Sequence, residues 1–225
     1  MSTFLVEKLQ AVQREIAAAC SNFNREPGAV KLLVVSKNNP VSALQELYDC
    51  GVREFGENRL PELAGKYEAL PKDILWHFIG PLQSNKVRKV VKIAGMIHSV
   101  SSLELLERVE RISGEERVSP DFLLEVNVSG EASKGGFSPQ ELMAAAEVAV
   151  RCTHARCCGL MTMAPLGADS SQLTEIFSLL AALKAECCKR FDAVLPELSM
   201  GMSGDFPEAI ACGATIVRIG SRIFK

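Results

Sequence analysis

GMIHSVSSLELLERVERISGEERVSPDFLLEVNV, residues 95–128, holds one full repeat of the pattern that decides the fold. An apolar run at 95–100 is followed by a stretch of helical spacing over 101–116, and a second apolar run fills 122–128. Short, nearly continuous apolar runs suit strands buried on both faces, whereas Leu105, Leu106, Val109 and Ile112 recur at the three- and four-residue steps of one helix face. Ser101 or Ser102 stands where a hydroxyl can accept from the free N–H groups of the first helical turn. A helix between two such strands makes a crossover, and the strands then lie parallel.

The same alternation extends in both directions. Strand runs are expected at 31–37, 52–58, 74–80, 95–100, 122–128, 157–163, 197–203 and 215–220. Between them lie helical stretches at 42–50, 58–69, 84–94, 101–116, 138–152, 171–191 and 205–212. Ser138-Pro139 opens one of these with a cap followed by proline at the first helical position. Eight strand-helix units predict an α/β fold, a closed (β/α)8 barrel, with an open doubly wound sheet as the alternative. Residues 1–20 read as an extra amphipathic N-terminal helix. With no linker, low-complexity tract or shift in composition, residues 1–225 are expected to form a single domain.

Composition narrows the partners. The chain has 225 residues, 48% hydrophobic and 23% charged, and 25 basic against 27 acidic side chains leave a net charge of -2. That balance provides no general field for nucleic acid or anionic lipid. No run of 18 apolar residues is present, and the N-terminus lacks a secretory h-region, so neither membrane nor export is expected. The eight cysteines include no C-x-x-C, and two of the pairs are adjacent in sequence, a poor geometry for bridging; they read as small buried hydrophobes in a reducing cytoplasm. No Cys/His/carboxylate cluster has metal-ligand spacing, so no metal is expected. A small-molecule partner fits best.

In such a barrel the working face is the C-terminal rim of the strands. The first run closes on Lys37, where burial at the barrel mouth would lower the amine's pKa and favour Schiff-base chemistry; a lysine marking a solvated strand end is the alternative. LSMGMSGD (198–205) and RIGS (218–221) set glycine- and serine-bearing turns after strands seven and eight, where barrels bind phosphate through backbone N–H groups and small hydroxyls. An amine facing a phosphate cradle fits a ligand that carries an aldehyde and a phosphate, and pyridoxal 5′-phosphate carries both. Arg218 is then placed to face the pyridine nitrogen with a group that only donates.

These residues carry a resemblance. VVSKNNP around Lys37, FGEN (55–58), WHFIGPLQSNK (76–86), VNVSGEASKGG (127–136), CCGLMTMAP (157–165), LSMGMSGDFPEAI (198–210) and VRIGSRIF (217–224) resemble, in order and over almost the whole chain, the pyridoxal phosphate homeostasis proteins. Those proteins are related to the barrel domain of alanine racemase, the fold type III group. The resemblance implies that Lys37 forms the Schiff base with the cofactor aldehyde. It implies that Ser203, Gly220 and Ser221 hold the phosphate with Ser199, Met200 and Gly201 close by, and that Arg218 faces the ring nitrogen. Asn58 and His77 are implied to line the pocket beside the ring.

The resemblance has departures. Asn38 and Asn39 follow the lysine where the family usually has threonine and then lysine or histidine, and Arg59, Leu60, Pro61 and Glu62 replace its usual aromatic and glutamine after FGEN. Other candidates read as structure: His77 as much a core histidine as a ligand contact, His98 and His154 as core, KVRKVVK (86–92) as a solvated helix face, and the Glu104/Glu107 and Glu115/Glu116 pairs as helix surface. A racemase of this fold type needs a second base from a separate β domain, and the chain offers only Tyr48 and Tyr67, both in helical stretches. The expectation is therefore a monomeric cytoplasmic carrier that stores, buffers or delivers pyridoxal phosphate, with transient contacts to apo-enzymes. The alternatives are a low-activity racemase or related enzyme, and a Schiff-base aldolase.

Overall fold

A computed structural model describes residues 3–131 and 134–225; Met1, Ser2 and the Ala132-Ser133 step of the 127–136 motif lie outside the described residues. The chain opens with helix α1 (Thr3–Asn22) and continues through β1 (Lys31–Val35), α2 (Val41–Asp49), β2 (Glu54–Glu57), α3 (Leu60–Ala69), β3 (Leu75–Phe78) and α4 (Val87–Val90). It then runs through β4 (Met96–Val100), α5 (Leu103–Glu116), β5 (Asp121–Glu125), α6 (Pro139–Ala149), β6 (Arg156–Met161) and α7 (Ser170–Phe191). The last units are β7 (Glu197–Ser199), α8 (Phe206–Ala211), β8 (Ile216–Ile219) and α9 (Ser221–Phe224). Each strand pairs in parallel with its successor, and β8 returns to β1, so the sheet closes in the order β1 to β8. That is the barrel expected from the sequence, and it excludes the open sheet.

Closure separates two cores. Leu33, Met96, Leu123, Cys158, Met161 and Ile216 fill the barrel interior, while a larger apolar layer lies between the sheet and the helices. Helix entries follow local chemistry: the Ser102 hydroxyl accepts from the Leu105 N–H at 3.2 Å, and Ser138 and Asp169 form capping boxes with Glu141 and Gln172. The N-terminal rim is tied by ion pairs between strand-opening residues, Lys31 with Glu197 at 2.6 Å and Arg156 with Asp121 at 2.7 Å. Helix α1 buries Leu9, Val12, Ile16 and Cys20 and packs against α2, α8 and α9.

Two expectations change. The stretch 84–94 is a 3-10 turn (Ser84–Lys86) and a single α turn rather than one long helix. Its valines are β-branched and weak helix formers, and tertiary contacts decide the path: Val87, Val90 and Val91 are buried while Arg88 and Lys92 pair with Glu115 and Glu116 on α5. All eight cysteines are free, but only Cys20, Cys158 and Cys187 are buried, and Cys50 is exposed. Desolvation pushes the thiols of buried Cys158 and half-buried Cys157 up to about 12, so they stay protonated. No helix among the described residues is long and apolar enough to cross a membrane.

Candidate functional site

The end of β1 is held from behind. Ser36 is buried, and its hydroxyl donates to Glu57 Oε1 at 2.6 Å. Lys66, reaching inward from α3, pairs with the same carboxylate and donates to the Ser36 carbonyl at 2.8 Å. The peptide entering Lys37 is therefore fixed by a buried ion pair. Lys37 itself is exposed, so the desolvation expected of its amine is absent. A tight turn follows: Asn38 adopts φ 62°, a left-handed conformation asparagine tolerates better than most residues, and its N–H donates to Glu62 Oε2 at 3.2 Å. The Asn39 amide donates back to the Lys37 carbonyl at 3.0 Å.

The end of β8 faces this turn. A Cβ at Gly220 would sit 2.8 Å from the Val35 carbonyl oxygen, so only glycine lets the two strand ends approach. Lys37, Asn38, Gly220 and Ser221 line one cleft of about 200 Å³. Ser203, in the turn after β7, is half-buried and does not line that cleft, but Arg222 Nη1 donates to its carbonyl at 3.3 Å and so links the two turns. Gly201 has φ +92°, and its carbonyl accepts from the Arg218 N–H at 2.9 Å.

Arg218 lies two residues before Gly220 on β8, paired in register with Leu33 of the interior core. It is buried, donating through Nη1 to Ser199 Oγ at 2.6 Å and through Nη2 to the Thr162 carbonyl at 2.9 Å. Desolvation lowers its pKa to about 10, against the opposing pull of Asp205 and Glu125, and the guanidinium stays charged at neutral pH. Glu125 ends β5 on the other side of the interior, where desolvation raises its carboxyl pKa and Arg218 pulls it back.

The remaining expected residues take other places. Ser199 and Met200 are buried, and the Ser199 hydroxyl binds Arg218 from inside the barrel rather than from the rim. Asn58 is half-buried against Gly80, where a Cβ would stand 2.2 Å from the Asn58 carbonyl oxygen. His77 lies deeper: its Nδ1 is 2.9 Å from His98 Nε2, and its Nε2 is 3.2 Å from Glu54 Oε2 at the start of β2, a contact close in distance but off the hydrogen-bond line. Both ring nitrogens thus face protein groups. His98, read from sequence as core, reaches Ser199 Oγ with Nδ1 at 2.9 Å and so touches the partner of Arg218. Its place could have been found by strand alternation, which sets Met96 and His98 on one face of β4.

Known proteins resemble this chain in sequence and fold. Residues 8–225 match the family model of the alanine racemase N-terminal domain. A pyridoxal phosphate homeostasis protein of Aquifex aeolicus is 39% identical over 219 residues, 97% of this chain and 96% of that one. PipY of Synechococcus elongatus has solved structures without and with pyridoxal phosphate. They superpose with TM-scores of 0.86 and 0.82 at 39% and 38% identity, covering 93% of this chain and all of PipY. The chain belongs to the alanine racemase N-terminal domain family and, within it, to the pyridoxal phosphate homeostasis proteins.

Proposed function

We propose that the chain binds pyridoxal 5′-phosphate at the C-terminal rim and stores, buffers or delivers it without efficient turnover, residues 1–225 acting as one domain. One observation carries the reading: Lys37 at the end of β1 and Gly220-Ser221 at the end of β8 line a single cleft, with the buried Arg218 two residues below Gly220 on the same strand. The residues fit the cofactor, since one cleft brings together the Lys37 amine and the Gly220-Ser221 turn for a phosphate, and the guanidinium supplies a fixed donor for a ring nitrogen. When bound, the cofactor supplies an aldehyde that condenses reversibly with a primary amine, and an anionic phosphate.

In this reading Lys37 is the anchor, and Ser203, Gly220 and Ser221 hold the phosphate, with Ser199, Met200 and Gly201 shaping the turn beneath. Arg218 orients the ring, and because it only donates it leaves the ring nitrogen without a proton. Asn58 borders the pocket, and His77 acts from within the barrel. Two observations favour a carrier over a racemase. Lys37 is open to water, which weakens electrostatic catalysis. Tyr48 Oη is engaged by Asp73 at 2.8 Å beside the start of β3, and the Tyr67 ring lies under Lys72, so both face away from the C-terminal rim. Free cysteines throughout accord with a reducing cytoplasm, and a monomer meeting apo-enzymes transiently completes the reading.

Titration with pyridoxal phosphate, followed by the visible band and by equilibrium dialysis, tests it. The parent protein should gain the band, and Lys37→Ala should lose it with affinity reduced by more than about tenfold. Equal binding by Lys37→Ala overturns the anchor, and a robust Lys37-dependent exchange of an amino acid's α-proton into heavy water overturns the carrier assignment.

A further inference from the structure

Five strands contribute one polar side chain each to a column through the barrel interior. Arg218 (β8), Ser199 (β7), His98 (β4), His77 (β3) and Glu54 (β2) follow one another at 2.6, 2.9, 2.9 and 3.2 Å. Barrel interiors are ordinarily filled by branched apolar residues, and burying polar groups is costly unless each meets a partner. Within the column the two imidazoles meet edge to face at 60°.

One assignment of protons fits the order of these contacts, with His77 Nε2 facing Glu54 off the hydrogen-bond line. A guanidinium only donates, so Ser199 Oγ accepts from Arg218 and its O–H is free to donate. The acceptor is His98 Nδ1, which places the His98 proton on Nε2. That N–H donates to His77 Nδ1, which places the His77 proton on Nε2, facing the Glu54 carboxylate. A carboxylate only accepts, so both ends of the column impose the same direction. Burial, the leading cause, together with the nearby Arg218 charge holds the His98 pKa well below its ordinary value, so the His98 ring is neutral.

Resting on the binding role proposed above, we infer that His98 and His77 are positioning residues: with Ser199 they hold the Arg218 guanidinium in the plane it presents to the cofactor ring, and Glu54 fixes their tautomers from the opposite end of the barrel. The Thr162 carbonyl is the second point that sets this plane. Two fixed contacts leave the remaining N–H groups of Arg218 for a ligand.

The chain has three histidines, so nitrogen-15 labelling of the imidazoles resolves each one in the ligand-free protein. Wild type should show the proton of His98 and of His77 on Nε2 at pH 7. Glu54→Gln, at the half-buried end of the column, replaces an obligate acceptor with a group that also donates; it should leave the fold intact, mix the His77 tautomers, and weaken pyridoxal phosphate binding about threefold. His98→Leu should weaken binding about tenfold or more and move the bound cofactor's visible band, the loss expected when a hydrogen bond to a charged group goes. His98→Asn, whose amide oxygen can still accept from Ser199, should recover part of both. A His98 proton on Nδ1, or an imidazolium, in wild type overturns the inference, as does unchanged affinity and band in folded Glu54→Gln and His98→Leu. Failure of wild type itself to bind pyridoxal phosphate is a different result: it overturns the binding role, while the tautomers decide the column separately.

Discussion

The backbone N–H of Asn38 donates to Glu62 Oε2 at 3.2 Å, joining the turn after β1 to the first turn of α3. The two segments that the resemblance marks as departures, one after Lys37, the proposed anchor, and one opening α3, thus meet in the fold. Asn38 sustains the left-handed turn and Glu62 caps it, with Arg59 Nη1 3.8 Å from the other carboxylate oxygen. Glu62→Ala should cost less than about 1 kcal/mol of stability, because the contact is exposed, but should speed amide exchange at Asn38 and weaken cofactor binding by a few fold. Unchanged exchange at Asn38 would show that Glu62 does not hold the turn.

A larger effect is expected at the buried pair behind the proposed anchor, Lys37. Glu57 and Lys66 are almost wholly excluded from water, and Ser36 donates to the same carboxylate. Lys66→Met should lower stability by about 3–5 kcal/mol in urea unfolding, because it strands a buried carboxylate. Adding Glu57→Leu should restore a substantial part, since an apolar pair leaves no charge behind. If Lys66→Met costs under about 1 kcal/mol, the ion pair does not brace the end of β1.

Acid should destabilise the protein earlier than its carboxylates alone would. Burial holds His98 well below the usual histidine range, so between pH 6.5 and its lowered value the unfolded chain binds a proton that the folded chain does not. Stability conferred by the neutral imidazole is complete above pH 6.5 and is lost as pH falls, by up to about 1.4 kcal/mol per pH unit. Glu125 acts in the opposite sense: desolvation raises its pKa, so folding loses stability as pH rises above the ordinary carboxyl value. Glu125→Gln should therefore raise stability at pH 7 and steepen the net acid loss. Urea midpoints at pH 5.5 and 7 read both effects, and a flat profile in the parent and in Glu125→Gln would contradict them.

The barrel was legible because parallel strands covered on both faces are nearly continuous apolar runs, and the turns between them are punctuated by serine, proline and glycine. The rim of the candidate site was legible for the same reason: once the strands are placed, Lys37, Arg218 and Gly220 fall at or beside strand ends, where barrels ordinarily hold a ligand. What sequence did not disclose depends on contacts across the barrel. His98 sits in an apolar run, and its partner Ser199 lies 101 residues away, so nothing local separates it from a core histidine. Lys66 sits on a helix where a lysine is ordinarily at the surface, and its burial follows from Glu57 standing beneath it. Exposure of Lys37 likewise follows from the turn that Asn38 makes rather than from the strand before it.

The most direct test of the anchor is borohydride reduction of the protein loaded with pyridoxal phosphate, followed by mass mapping of its peptides. The label should be found on Lys37 in stoichiometric amount and nowhere else. A label spread over surface lysines, or fixed on another single lysine with Lys37 unmodified, would contradict the account.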